Sequence, residues 1–192
     1  MNENTFAIDP SKTALVLIDL QRGITYRDVA PRSGAEVVAN AVKLTERFHE
    51  LNATVVLVRV SFAGDGADRV HRPIDAPLPQ GTPPDGWDQI VPELGPKSGD
   101  IVVTKRQWGA FYGTDLDLHL RRRGIETLVL GGIATSIGVE STARDAFERN
   151  YGLIAVEDAM ADMSADAHAF TISHIFPRIS RVRSTAQVIA AI

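Results

Sequence analysis

Five stretches of nearly unbroken aliphatic and β-branched residues recur along the chain: TALVLID (13–19), ATVVLVRVS (53–61), DIVVTK (100–105), ETLVLGG (126–132) and LIAVED (153–158). Most are continuously apolar rather than alternating, which suits strands buried on both faces, as in a parallel sheet covered by helices. Arg181-Val182-Arg183 reads as a weaker sixth strand. Between the runs the spacing turns helical. Val37, Val38, Val42, Leu44 and Phe48 precede a stop at Leu51-Asn52, and Leu116, Leu118 and Leu120 precede a stop at Gly124. Strand and helix in alternation predict an α/β fold: a three-layer, doubly wound, mostly parallel sheet of about six strands, Rossmann-like, with right-handed crossovers.

The segment from Ala63 to Gly95 breaks the alternation with Gly64, Gly66, Pro73, Pro77, Pro79, Gly81, Pro83 and Pro84. It predicts a long loop with one turn of helix around Trp87 to Ile90. Loops of that length inside a domain usually form binding walls or lids, so substrate or subunit contacts are expected there.

Composition narrows the chemistry. With 192 residues and 44% apolar content the chain can bury one core, and residues 1–192 are read as a single domain. The net charge is −4, and the basic run Arg121-Arg122-Arg123 is interrupted at once by Gly124, which argues against nucleic acid as a partner. The polar start MNENTFAIDPSK lacks a basic-then-apolar leader, and no apolar run approaches about 18 residues, so neither a membrane segment nor export is expected and a cytoplasmic protein is. There is no cysteine. Catalysis is therefore left to carboxylates, lysine, hydroxyls, histidine or backbone dipoles.

In an open parallel sheet ligands bind beyond the carboxyl ends of the strands. Asp19 ends the first run, Lys105 the third, and Gly131-Gly132 the fourth. Asp19 reads either as an acid or base entering the cleft from the core, or as a carboxylate that binds loop amides. Lys105 reads as its charge partner or as a lysine snorkelling to the surface. After Gly132 a helix opens through the cap pair Thr135-Ser136, with Glu140 in its first turn, and the amides of Thr135 to Gly138 are expected to face the cleft as an anion or oxyanion site.

Other residues add less. Asp68 and His71 in DRVH lack a third ligand, so no metal site is expected. Asp115, Asp117 and His119 read as a solvated helix face, Ser136 and Ser141 lack a histidine base, and His168 and His174 read as packing or interface residues. Trp108, Phe111 and Tyr112 either wall the pocket or fill the core.

The segments TALVLIDLQRG (13–23), TKRQWGAFYGTDLDLHLRRRGIETLVLGGIATSIGVESTARDAFERNYGLIAVEDAMAD (104–162) and DAHAFTISHIFPRISRVRSTAQVI (166–189) resemble the isochorismatase-like hydrolases, a family that includes cysteine-dependent amidases as well as isochorismatase. The resemblance implies a cofactor-free hydrolase, a small-molecule substrate and a homo-oligomer. It implies Asp19 and Lys105 as catalytic residues, with Gly138 where the amidases carry their cysteine. It also implies a non-proline cis peptide, expected at Ala134–Thr135. Isochorismatases resemble this chain in having glycine at the cysteine position. By that likeness Asp19 is the general acid, Lys105 orients it, and the best single substrate is an isochorismate-like vinyl ether giving pyruvate. Ala134, Thr135, Trp108, Phe111 and Arg59 are the expected substrate-binding residues, with Arg69, Arg72 and Arg106 as further candidates for an anionic substrate. Hydrolysis of another, amide-like substrate and a catalytically silent binding protein are the alternatives.

Overall fold

The computed structural model describes residues 6–76 and 83–192. Pro77, Pro79 and Gly81 of the long loop, and Met1 to Thr5 of the polar start, lie outside the described residues. Strands β1 (Thr13–Ile18), β2 (Thr54–Val60), β3 (Ile101–Lys105), β4 (Thr127–Ile133), β5 (Gly152–Ala161) and β6 (Arg181–Arg183) form one sheet in the order β3-β2-β1-β4-β5-β6. Every neighbouring pair is parallel. Helices α1 (Arg22–Thr25), α2 (Gly34–Glu50), α3 (Leu116–Arg122), α4 (Glu140–Glu148), α5 (Ala165–Phe170), α6 (Phe176–Ile179) and α7 (Thr185–Ala191) complete the chain.

Both faces of β1 are covered, which is why its sequence does not alternate. Leu15 and Leu17 pack with Val37, Leu44 and Phe48 of α2 and Val188 of α7. Ala14, Val16 and Ile18 face the opposite layer, against Leu116 and Leu120 of α3, Ala143 and Ala146 of α4, and Phe176 of α6. Each buried Leu, Ile or Val is worth about 1.5–3 kcal/mol, so from Ala14 to Ile18 the central strand is wholly apolar, and the first charge comes where it leaves the sheet at Asp19. Helix α2 begins at Ser33, whose side chain caps the Glu36 amide while Glu36 caps Ser33 in return.

Two elements differ from expectation. β5 continues through Glu157 and Asp158 to Ala161, because beyond a register shift between Leu130 and Gly132 its last residues pair again with Gly132 and Ile133. The Asp158 carboxylate is satisfied by the Thr185 amide (2.7 Å) and hydroxyl (2.8 Å) at the start of α7. Around Trp87 the chain makes turns rather than a helix, and the short 3-10 segment falls later, at Pro92–Leu94.

Strands β2 and β3 lie on one side of β1, and β4, β5 and β6 on the other. The order reverses between β1 and β4, and that switch leaves a crevice at their carboxyl ends. The two strands approach closely there. Gly132 has φ +129°, and a Cβ at that position would overlap the Ile18 carbonyl, so only glycine is accommodated.

Candidate active site

Asp19 is the first residue past β1 and adopts a left-handed backbone, φ 54°, a region that Asp tolerates better than most residues. The turn lifts its carboxyl to the floor of the crevice. Lys105, the last residue of β3, reaches it across β2 with Nζ 2.8 Å from Asp19 Oδ2. Only 5% of Asp19 and 2% of Lys105 is exposed. The ammonium also donates to the carbonyls of Gln107 (3.0 Å) and Trp108 (2.8 Å), so all three of its protons are used. Asp19 Oδ1 has no hydrogen-bond partner among the described residues. Burial pushes the Asp19 carboxyl up to about 6, and the Lys105 ammonium offsets only part of that rise.

Gly138 stands opposite this pair. A Cβ there would lie 3.2 Å from Asp19 Oδ2, 3.1 Å from Ile18 Cγ2 and 3.5 Å from the Trp108 carbonyl. No side chain separates the carboxyl from the start of the helical segment after β4. Around these groups opens a cleft of about 860 Å³, walled mainly by apolar side chains that include Ile24, Val60, Phe62, Trp87, Ile137 and Met163. Arg27, Arg69 and Arg106 add positive charge to the wall. Arg106 is paired with Asp68, whereas among the described residues neither Arg27 nor Arg69 forms an ion pair. Arg69 instead lies over the Phe62 ring, 4.9 Å from its centroid.

Fold, crevice and site can be set beside known proteins. The Isochorismatase domain family matches residues 13–187. This chain belongs to the isochorismatase family. It is 52% identical over 186 residues, 96% of each protein, to the "Uncharacterized isochorismatase family protein YwoC" of Bacillus subtilis. It is 34% identical over 173 residues to the ureidoacrylate amidohydrolase RutB of Acinetobacter baylyi, covering 78% of this chain and 71% of that protein. An isochorismatase family protein of known structure from Burkholderia thailandensis superimposes with a TM-score of 0.93 at 45% identity, covering 98% of both chains. The protein is thus an isochorismatase-family hydrolase.

Within this family fold the expected site residues separate into two groups. Asp19, Lys105, Ala134, Gly138 and Trp108 all line the cleft, as do Val70, Ile74, Pro83 and Pro84 of the long loop. Trp108 is 59% exposed and stands at the mouth. Three expectations are corrected. Phe111 is buried and packs on Tyr151, ring centroids 5.9 Å apart, because β3 has by then delivered the chain back to the core. Arg59 is not a lining residue; it bonds Thr104 Oγ1 (3.1 Å) and Asp88 (3.4 Å), since its neighbour Val60 takes the cleft-facing position on β2. Thr135 is fully buried with its hydroxyl turned away from the cleft, toward the Ala161 carbonyl (3.1 Å) and His168 Nδ1 (2.8 Å).

The turn itself also differs in detail. The non-proline cis bond is Ile133–Ala134, one residue before the expected place. Thr135 and Ser136 make no side-chain cap. Asp162 takes that role, accepting the Ser136 amide (2.6 Å) and the Met163 amide (2.7 Å). The Ile137 amide donates to the Ala134 carbonyl (3.2 Å), so two of the four amides expected to face the cleft are already engaged. The residues Thr135–Val139 wind as a π-helical turn before α4.

Asp68 is held by Arg106 and the Ala63 amide, and His71 by the Gly66 carbonyl (2.8 Å), so the two do not converge. Gln21, Thr142, Asp162 and His168 were not expected to shape the site. Gln21 is fully buried and clips the end of β2, accepting from the Val60 amide (2.8 Å) and donating to the Val60 carbonyl (3.0 Å). Its only mark in the sequence is a polar residue two positions after Asp19. Among the described residues no helix is long and apolar enough to cross a membrane.

Proposed function

We propose that the protein hydrolyses a small anionic vinyl ether of the isochorismate type by acid catalysis from Asp19. The observation that carries this reading is the buried Asp19–Lys105 pair facing Gly138 in a chain without cysteine. Covalent thioester chemistry has no nucleophile here, while a protonated carboxyl needs none. With its pKa near 6, about a tenth of Asp19 carries a proton at pH 7, far more than an ordinary aspartate holds. Lys105 occupies Oδ2, so Oδ1 is the oxygen left to carry that proton.

The proton passes to the methylene carbon of the enol ether, and an oxocarbenium centre forms at the ether carbon. Water adds to that centre and returns a proton to Asp19. The hemiketal then collapses, breaking the carbon–oxygen bond to release pyruvate and an alcohol. Gly138 leaves room for the substrate and water beside the carboxyl, and Arg27 and Arg69 supply charge for substrate carboxylates. Large side chains such as Tyr26 and Trp108, 75% and 59% exposed, support self-association of the protein.

A second reading has its own support: the likeness to a ureidoacrylate amidohydrolase favours a ureido or amide substrate, with Asp19 activating water. One experiment separates them. Pyruvate released from isochorismate is followed by coupled oxidation of NADH, with ureidoacrylate hydrolysis measured in parallel, for the native protein and Asp19→Asn. Pyruvate release that Asp19→Asn abolishes is the expected result. Hydrolysis of ureidoacrylate without pyruvate release would overturn the vinyl ether assignment.

A further inference from the structure

The π-helical turn after β4 has two faces. Ala134, Ile137 and Gly138 face the cleft, while Thr135 and the Ser136 amide face the end of β5 and α5. On the inner face Thr135, His168 and Asp162 are hydrogen-bonded to one another's segments. The single Thr135 hydroxyl proton goes to the Ala161 carbonyl at 3.1 Å, so the 2.8 Å contact with His168 Nδ1 is one in which the imidazole donates and Thr135 Oγ1 accepts. His168 is buried, and burial with the nearby Arg32 guanidinium holds its pKa down against an opposing pull from Asp162, which favours the neutral ring. Asp162 is 2% exposed and spends its two oxygens on the Ser136 and Met163 amides. From the other side Thr142 Oγ1 donates to the Gly138 carbonyl (2.7 Å) and accepts the Ala110 amide (3.1 Å).

Packing the turn requires partners for its buried backbone groups, which Asp162 and Thr142 supply, but it does not require the further chain from His168 through Thr135 to Ala161. Here four buried polar residues are spent on five residues of backbone, and the face they leave outward stands against Asp19. We propose that His168, Thr135 and Asp162 are positioning residues for the Asp19 site: the chain from His168 through the Thr135 hydroxyl to Ala161, with the Asp162 clamp on Ser136, fixes Ala134 and Gly138 against the Asp19 carboxyl and keeps water from spreading beneath it. Their effect on turnover rests on the reading of Asp19 as the acid. Their effect on the surroundings of Asp19 does not.

The test uses His168→Leu, His168→Asn, Thr135→Val and Thr135→Ser, read by two measurements. Asn places a donor close to where Nδ1 stands, and Ser keeps the hydroxyl. The first measurement is titration of the Asp19 carboxyl by carbon NMR, in which Lys105 is the charged group facing it. The second is steady-state pyruvate release. In His168→Leu and Thr135→Val the Asp19 midpoint is expected to fall from about 6 toward the ordinary aspartate range. In the same variants kcat is expected to drop about tenfold or more, with KM little changed, because a small misplacement of catalytic groups is costly in rate. His168→Asn and Thr135→Ser are expected to restore both, and the double variant His168→Leu/Thr135→Val is expected to be no worse than either single change, since the two act as one unit. Unchanged Asp19 midpoints and kcat in folded His168→Leu and Thr135→Val would overturn the proposal. If His168→Leu does not fold, the Thr135 pair decides alone. If no variant and no native protein releases pyruvate, the vinyl ether reading fails while the titration still decides this one.

Discussion

Replacing Lys105 by methionine tests the electrostatics of the site most directly, because methionine keeps an unbranched apolar stem one atom shorter and removes the charge and the donors. Three bonds are lost: the 2.8 Å pair with Asp19 Oδ2 and the bonds to the Gln107 and Trp108 carbonyls. The two carbonyls left without a donor cost about 1–3 kcal/mol each at any pH. The loss of the ion pair depends on pH. In the native protein the Asp19 midpoint of about 6 lies above its ordinary 3.8, so the folded state binds the proton more tightly than the unfolded chain. Stability from this group is therefore fully present below 3.8, declines as pH rises, and levels off above 6. The gap corresponds to about 3 kcal/mol at 1.36 kcal/mol per pH unit. An opposite charge at this distance typically lowers a carboxylate by about one to three pH units, so removing it extends the decline to a pH of about 7 to 9. Urea unfolding of both proteins at pH 5 and pH 8.5 measures this. The variant should lose about 1–3 kcal/mol more than the native protein between the two pH values. An identical pH dependence in the two proteins would falsify the view that Lys105 sets the ionisation of Asp19.

Two glycines give further checks. Gly138→Ala places a methyl group 3.2 Å from Asp19 Oδ2 and 3.1 Å from Ile18 Cγ2, a mild overpacking. We expect it to fold with a change in stability within about 2 kcal/mol by chemical unfolding, yet to lose most of its turnover in the pyruvate assay, because the methyl fills the space at the carboxyl. Gly132→Ala is expected to be far more damaging, by about 3 kcal/mol or more in the same unfolding experiment, since its φ of +129° and the overlap with the Ile18 carbonyl leave no relaxed geometry. A Gly132→Ala protein as stable as the native one would show that β1 and β4 can separate at the switch point.

The architecture was legible because the signals were local. Continuous apolar runs and helical spacing between them are dictated by burial on both faces, and the six strands fall where those runs stand, β6 included. The ends were less legible. The last residues of β5 follow Glu157 and Asp158, whose polarity ends the apolar pattern, and only a cap partner from α7, about 27 positions away, makes Asp158 acceptable there. At the site, Asp19 and Lys105 were found because each stands where a strand ends, and Gly138 only through the family resemblance. Phe111 and Arg59 were misplaced because an aromatic a few residues after Lys105 and an arginine late in a strand look the same whether they face a cleft or a core. Thr135 and Ser136 match a cap signature, but an acid from the end of β5 reaches the turn first.

What the sequence by itself determined is the layered α/β sheet, the absence of any thiol, and the positions at which charged residues leave the strands, since these follow from period, composition and local order. What only the tertiary structure decided is the meeting of those residues: Asp19 and Lys105 at 2.8 Å across an intervening strand, with Gly138 beside them. It also decided the contact of His168 with Thr135 and the clamp by Asp162. Strand order and register bring residues more than 80 positions apart into one crevice, and the ionisation of a carboxyl depends on the water and charge around it rather than on its neighbours along the chain.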